Sequence, residues 1–339
     1  MRLFPATLDV TNRDGGDYLT SGQLSLPELQ GLDEIEQVER RLEEICRSDD
    51  RWTPLFADSI IAGGKRLRPA LVVLGGSFLP AQSGELVDVA VAVELIHTAS
   101  LIHDDVIDRA ALRRSRPTVA ARWGEQQAVL YGDFLFARAF SLLARPGRTN
   151  ILDHLSQAIS LMCEGEIEQY ARRYDCQLTE AEYMLYIHKK TAFFLGACCQ
   201  AGGQVCGLPA VQCRLLADFG LQLGYAFQMR DDLLDFCGTP AVTGKPVFQD
   251  LTEGYLTLPV IWLLQHPDHG PVLRSIIERR EFGRESFALI RDGLETSGIL
   301  EKIREKSRTI IHRAKRKLML LPDRPPRAVL ARLADRMLP

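Results

Sequence analysis

The amino-acid sequence predicts an all-α protein folded as one helical bundle. Three features carry that expectation. From "GLDEIEQVERRLEEICRS" onward, apolar residues recur at three- and four-residue intervals among charges, the period of an amphipathic helix. No proline falls between Pro146 and Pro209, or between Pro271 and Pro322, so long helices meet no breaker there. Few stretches keep the two-residue alternation of a half-buried strand.

Taken in order, residues 1–30 are rich in Gly, Pro, Ser, Thr and Asp and read as a loose leader. Residues 31–339 show no shift in composition that would mark a second domain. Gly/Pro punctuation at "GGKRLRP", "RPGR", "CGLPA" and "CGTPAVTGKP" divides this part into roughly ten to a dozen helices of one bundle. The basic run "EKIREKSRTIIHRAKRKL" reads as the solvated face of an amphipathic helix.

Composition narrows the function. The chain has 339 residues, 46% hydrophobic and 25% charged, with a net charge of −3. That balance argues against a general nucleic-acid binder, which carries a strongly basic surface. The apolar run "VDVAVAVELIHTASLIH" is interrupted by Asp88, Glu94 and His97, so no span is expected to cross a membrane. The N-terminus lacks the apolar centre of a signal peptide, which points to a cytoplasmic protein. The eight cysteines (Cys46, Cys163, Cys176, Cys198, Cys199, Cys206, Cys213 and Cys237) form no C-x-x-C pair and read as reduced packing residues.

Chemistry enters with "HDDVID" and "RDDLLDF". Each holds aspartates at i, i+1 and i+4: Asp104, Asp105 and Asp108, then Asp231, Asp232 and Asp235. At about 100° per residue these three positions share one sector of a helix. Apolar neighbours turn that sector inward, where crowded carboxylates would take up protons unless cations held them. Magnesium suits such a site because it divides its shell between carboxylates and a substrate phosphate. A single copy reads equally well as a solvated acidic patch; two copies, each with basic residues nearby, favour the metal reading.

Those basic residues are Lys65, Arg66 and Arg68 in "GGKRLRP", Arg113 and Arg114 after the first acidic helix, Lys189 and Lys190 in "KKTAFF", and Lys245. Arginine's planar fork fits phosphate oxygens. Metal ions would hold one anion while Lys65, Arg68 and Arg114 hold another, which implies two phosphorylated substrates. Arg66 and Lys189 are also readable as solvent-facing.

In these motifs the chain resembles the trans-polyprenyl diphosphate synthases, whose fold is the isoprenoid-synthase helical bundle around a central cavity. The resemblance runs from about residue 50 to the C-terminus through "GGKRLRP", "HTASLIHDDVID", "LRRSRPT", "GEIEQ", "KKTAFF", "FQMRDDLLDF" and "GKPVFQDLTEGYLTLP", in that order. It is most similar to medium-chain enzymes of the hexaprenyl and heptaprenyl type. The resemblance implies that Asp104, Asp105, Asp108, Asp231 and Asp235 bind magnesium, about three ions per site, with Asp232 supporting them. It implies that Lys65, Arg68, His97 and Arg114 hold isopentenyl diphosphate, and that Arg113, Lys190 and Lys245 contact the allylic diphosphate. Thr191 and Gln228, with Lys190, would face the developing cation. A homodimer, an accessory subunit in some relatives, and peripheral membrane contact for product release are further implications.

Three positions depart from the family pattern. Ser115 and Phe248 stand where glycine is usual, and Tyr255 where lysine is often found, which removes a cation from the allylic pocket. Product length should follow the depth of the tunnel below the first acidic motif. Ser100 lies one turn below Asp104, about 5.4 Å away on the same face, and the resemblance adds Ala99. Both are small, which implies a product longer than about four isoprene units. A geranylgeranyl- or farnesyl-type short-chain synthase is the alternative within the family. A terpene cyclase shares the first motif but does not need the second diphosphate pocket. A catalytically silent partner subunit would lack some of these aspartates. A di-iron oxidase would need a second Glu-x-x-His beside Glu94 and His97.

Overall fold

A computed structural model describes residues 32–47, 57–61, 66–81, 83–113, 116–237 and 247–339. They form helices α1 (Asp33–Cys46), α2 (Ala57–Ile61), α3 (Leu67–Gly76), α4 (Ser83–Ile107), α5 (Val119–Trp123), α6 (Glu125–Leu143), α7 (Thr149–Ala171) and α8 (Glu180–Ile187). A π-helical turn, His188–Ala192, joins α8 to α9 (Phe193–Val205) and is followed by α10 (Ala210–Cys237). The remainder is α11 (Gln249–Glu253), α12 (Leu258–Leu264), α13 (Gly270–Arg279), α14 (Arg284–Thr296), α15 (Ile299–Leu318) and α16 (Pro325–Asp335). There are more helices than the dozen expected, because turns such as α2, α5 and α11 are cut off as five-residue pieces. The strand content among the described residues is one hairpin, Leu112–Arg113 paired antiparallel with Arg116–Pro117.

Helix α9 runs through the middle of the bundle, with Phe194 to Cys199 all buried, and packs on α3 and α10. Glycines permit the close approach. A Cβ at Gly202 would sit 2.0 Å from the Val72 carbonyl oxygen on α3, and one at Gly220 would sit 2.5 Å from the Leu195 carbonyl. Any side chain at either point would force the helices apart.

Helix α4 packs on α6, α3 and α1. Contrary to expectation, α4 is long and apolar enough to cross a membrane by length and composition. It is nevertheless a core helix, with most of that window buried inside the bundle. Its two acidic interruptions are neutralised within the protein, Asp88 by Arg145 at 2.5 Å and Glu94 by Arg66 at 2.6 Å. Helix α15 buries Ile299, Ile303, Ile310, Ile311, Ala314 and Leu318 on one stripe and leaves its basic residues outward. Five cysteines are buried, Cys176 is half-buried, and Cys163 and Cys237 are exposed.

Candidate active site

The first acidic motif ends α4, and the way the helix ends shapes the site. Arg109 adopts the left-handed conformation (φ +51°), its N–H donates to the Val106 carbonyl at 3.2 Å, and the Ala110 N–H reaches back to the Asp105 carbonyl at 2.9 Å. This is a Schellman closure with arginine where glycine is usual. The chain reverses there into the hairpin, which carries Arg113 back to α4, where its Nε donates to Asp105 Oδ1 at 2.7 Å. The three aspartates are therefore not equivalent. Asp105 is 4% exposed and tied to Arg113, Asp104 is half-buried, and Asp108 lies exposed just beyond the helix. Burial and the Glu166 carboxylate push the Asp104 carboxyl up to about 7, against the pull of Lys190. Partial burial and Glu253 raise Asp108, which Lys190 again opposes.

The second motif lies in the last turns of α10. Asp231 is exposed, whereas Asp232 (3% exposed) and Asp235 are buried. Asp232 heads a hydrogen-bonded chain. The Tyr183 hydroxyl donates to its Oδ2 at 2.6 Å, Gln228 Nε2 donates to its Oδ1 at 2.9 Å, and Thr191 Oγ1 donates to Gln228 Oε1 at 2.8 Å. Burial pushes Asp232 up to about 7; the Tyr183 and Gln228 donors work against that, and nearby Asp250 adds to it. Asp235 serves the turn that follows, its Oδ1 accepting the Gln249 N–H at 3.1 Å and its carbonyl the Phe248 N–H at 2.8 Å.

Between the motifs stands the π-helical turn, which places Lys189, Lys190 and Thr191 on consecutive positions. Such turns insert one residue into a helix and redirect side chains, often at functional sites. Gly165 on α7 lies against it, where a Cβ would come within 3.1 Å of the Lys189 Cβ. Lys190 Nζ is held by Glu166 at 2.5 Å and Gln169 at 3.2 Å, and faces the Tyr186 ring at 5.7 Å. Burial disfavours its charge, but Tyr186, Glu166 and Asp104 outweigh it and keep the ammonium protonated well above the usual range. Lys189 pairs instead with Glu168 at 2.6 Å and Glu164 at 3.4 Å.

Arg68, on the first turn of α3, lies with its guanidinium 5.4 Å from the Phe194 ring of α9. His97 is half-buried on α4, and its carbonyl accepts from Ser100 Oγ at 2.9 Å. Ala99 is fully buried and Ser100 half-buried. Lys65, Arg114, Ser115 and Lys245 lie outside the described residues, as does the 1–30 leader.

Arg66 needs correcting. It does not face solvent: it is 5% exposed, bonded to Glu39 at 2.7 Å, to Glu94 at 2.6 Å and to the Ile60 carbonyl at 3.0 Å. That bond also engages the Glu94 a di-iron site would need. Phe248 takes φ +62°, the conformation that makes glycine usual at that position. Its buried ring stacks on Phe287 at 4.6 Å and meets Phe236 edge-on at 5.3 Å.

Asp104, Asp108, Arg113 and Lys190 thus share one electrostatic neighbourhood, and Thr191, Gln228 and Asp232 form one hydrogen-bonded chain. Sequence reasoning missed Glu166, Gln169, Tyr183 and Tyr186 as supports. Only Glu166 and Gln169 left a signal, the three-residue spacing that puts both on one face of α7. Among the described residues no three His, Cys, Asp or Glu side chains are gathered closely enough to hold a metal by themselves. Oxygen-only donors spread along two helix ends, with Asp104 left short of cations, fit magnesium shared with a phosphate ligand better than an all-protein cage.

Fold and site together define a helical bundle of the isoprenoid-synthase type. A family model described as "Polyprenyl synthetase" matches residues 50–290. The chain is 36% identical over 306 residues to heptaprenyl diphosphate synthase component 2 of Bacillus subtilis (strain 168), covering 89% of this chain and 86% of that protein. It is 36% identical over 277 residues to octaprenyl diphosphate synthase of Escherichia coli (strain K12), covering 81% and 85%. The crystal structure of a polyprenyl synthase from Caulobacter crescentus CB15, complexed with calcium and isoprenyl diphosphate, superposes with a TM-score of 0.86 at 35% identity, covering 94% of this chain and 98% of that one. The chain belongs to the polyprenyl synthetase family and is a prenyltransferase of the polyprenyl diphosphate synthase type.

Proposed function

We propose that the protein lengthens an allylic diphosphate by condensation with isopentenyl diphosphate, giving a linear all-trans polyprenyl diphosphate of medium to long chain. The allylic C–O bond breaks, a C–C bond forms to the isopentenyl double bond, and a proton leaves with the released diphosphate. The observation that carries this reading is the placement of Lys190, held by Glu166 and Gln169 in the field of Asp104, on the same π-helical turn as Thr191. Thr191 leads directly into the Gln228–Asp232 chain. One turn thereby joins the neighbourhoods of both acidic motifs. The heptaprenyl and octaprenyl relatives support the chain length, as do the small Ala99 and Ser100 below Asp104.

Asp104, Asp108, Asp231 and Asp235, with Asp105 and Asp232 behind them, would hold magnesium jointly with the allylic diphosphate. Bound there, the metal supplies positive charge to the departing diphosphate. Lys190 and Arg113 add fixed cations, so negative charge that grows on the leaving group as the allylic C–O bond breaks meets an organised positive field. Thr191 Oγ1 and the Gln228 amide present neutral dipoles toward the allylic carbon, which suits a cation that must not be captured by a base. Arg68 and His97, with Lys65 and Arg114, would orient isopentenyl diphosphate so that its double bond faces that carbon. The composition supports a cytoplasmic enzyme, and the resemblance to the family favours a homodimer.

Isotope-labelled isopentenyl diphosphate with an allylic primer and Mg2+, read by mass spectrometry, tests the reading. Elongated linear diphosphates are expected; a cyclic hydrocarbon would move the protein to the terpene cyclases. The relative named "component 2" favours one second reading, dependence on an accessory subunit. Product formed only after a partner is added would establish it. In the same assay Asp104→Ala or Asp231→Ala should lower turnover about 100-fold or more while the protein stays folded.

A further inference from the structure

We propose that Arg173 binds substrate in this site, its guanidinium fork taking oxygens of the allylic diphosphate at the mouth between the end of α4 and the 252–255 turn. This rests on the functional reading above.

The turn after α7 and the turn after α11 are joined by Tyr174. Its N–H donates to the Gly254 carbonyl at 2.8 Å, and its hydroxyl donates to the Thr252 carbonyl at 2.8 Å. Gly254, at φ +91°, lets the Tyr174 ring lie against it; a Cβ there would come within 2.5 Å of that ring. The junction is therefore fixed without help from Arg173. Arg173 uses one nitrogen, Nε, on the Glu253 carbonyl. Its guanidinium carbon lies 5.5 Å from the Tyr170 ring, 5.6 Å from Tyr174 and 5.3 Å from Tyr255.

A tether at Nε and three aromatic neighbours orient the fork and strip part of its hydration. Neither terminal nitrogen makes a hydrogen bond or ion pair among the described residues. The adjacent Arg172 contrasts with it, being committed to Asp175 and Glu182.

The surroundings say which ligand that fork serves. The Tyr255 phenol under Arg173 lies in the field of Asp108, Lys190 and Glu166, so the guanidinium stands at the same mouth as the first acidic motif. Two of the other cations there are already engaged, Lys190 with Glu166 and Arg113 with Asp105. A fork held in place with its donors uncommitted fits a bidentate contact to a diphosphate, where arginine's planar geometry matches two oxygens at once.

Steady-state kinetics on the full chain with Mg2+ test the assignment. Arg173→Met should raise KM for the allylic diphosphate about tenfold, leaving KM for isopentenyl diphosphate within about twofold. Tyr255→Lys added to Arg173→Met places an ammonium beside the same spot and should recover most of the loss. A staple role would instead lower Tm, raise both KM values together and gain nothing from Tyr255→Lys; that pattern overturns the proposal. Should Arg173→Met not fold, Arg173→Lys reads the same selectivity, with a smaller rise in the allylic KM. Calorimetric binding of inorganic diphosphate with Mg2+ separates this proposal from the functional reading. Weaker binding by the variant supports the Arg173 contact even if the native protein elongates nothing, and unchanged binding overturns it.

Discussion

The Tyr183 hydroxyl donates to Asp232 Oδ2 at 2.6 Å, with both residues buried. The bond joins α8 to α10 just before the π-helical turn begins, so it fixes the helix that delivers Lys190. Tyr183→Phe keeps the ring and leaves a buried carboxyl oxygen without its donor. Loss of a hydrogen bond of this kind costs about 2 kcal/mol. Urea denaturation in chelator should show that loss; a loss below about 0.5 kcal/mol would mean that the oxygen finds water or another donor.

Ala99 is fully buried, and Ser100 is half-buried with its hydroxyl on the His97 carbonyl. Ala99→Phe is expected to shorten the product, and Ser100→Phe serves as the comparison, since it projects from the face of α4 below Asp104. Overpacking costs about 1–3 kcal/mol, which a bundle of this size should tolerate. Product distributions by mass spectrometry check it. If both variants give the native distribution, the hydrocarbon chain does not pass this part of α4.

Two opposed effects meet at Phe248. Its left-handed backbone costs about 1 kcal/mol relative to glycine, while removing a buried aromatic ring costs about 3–5 kcal/mol. The ring is 1% exposed and packed on both Phe287 and Phe236, so packing outweighs strain. Phe248→Gly should therefore destabilise the protein by about 2–4 kcal/mol, read from the urea midpoint. A stabilised variant would show that strain dominates.

How much of this was legible beforehand depended on where the partners lie in the chain. The acidic helix faces and the bundle rest on spacings within a few residues. Tyr183 finds Asp232 49 positions away, and Arg66 finds Glu94 28 away, so no local pattern announces either pair. Reading Arg66 as solvent-facing failed for that reason. The shared helix face of Asp104, Asp105 and Asp108 gives no sign of their unequal surroundings, because the reversal at Arg109 brings Arg113 back onto just one of them. The π-helical turn leaves no periodic trace, since a single inserted residue looks like ordinary helix. Helix α4 is long and apolar enough to span a membrane by composition despite its acids, and only its burial in the bundle marks it as a core helix.

Helix α8 begins with a capping box. Glu182 accepts from the Thr179 hydroxyl and from its N–H, and Arg172 adds a third contact, which together hold the carboxyl down at about 2. A depressed acid stabilises the fold above its unfolded value, near 4.5, and loses that contribution as pH falls toward 2. Glu182→Gln should therefore be less stable than the native protein at pH 7, with the gap closing between about pH 4.5 and 2. Urea midpoints across that range check it. A gap independent of pH would assign the effect to packing.

Arg66 is buried against Glu94 and Glu39, linking the start of α3, which carries Arg68, to α4 one turn before His97 and to α1. Removing the guanidinium strands the Glu94 carboxylate in the core. Breaking one partner of such a pair costs about 3–5 kcal/mol, whereas replacing both by apolar groups is often neutral. Arg66→Met should fall in that range, and Arg66→Met with Glu94→Leu should recover most of it, giving a strongly non-additive cycle. Because Arg68 and His97 sit on the two elements so joined, the single variant should also bind isopentenyl diphosphate more weakly than the double variant. Equal stability of the two variants would mean that Glu39 and water, not Glu94, carry the charge of Arg66.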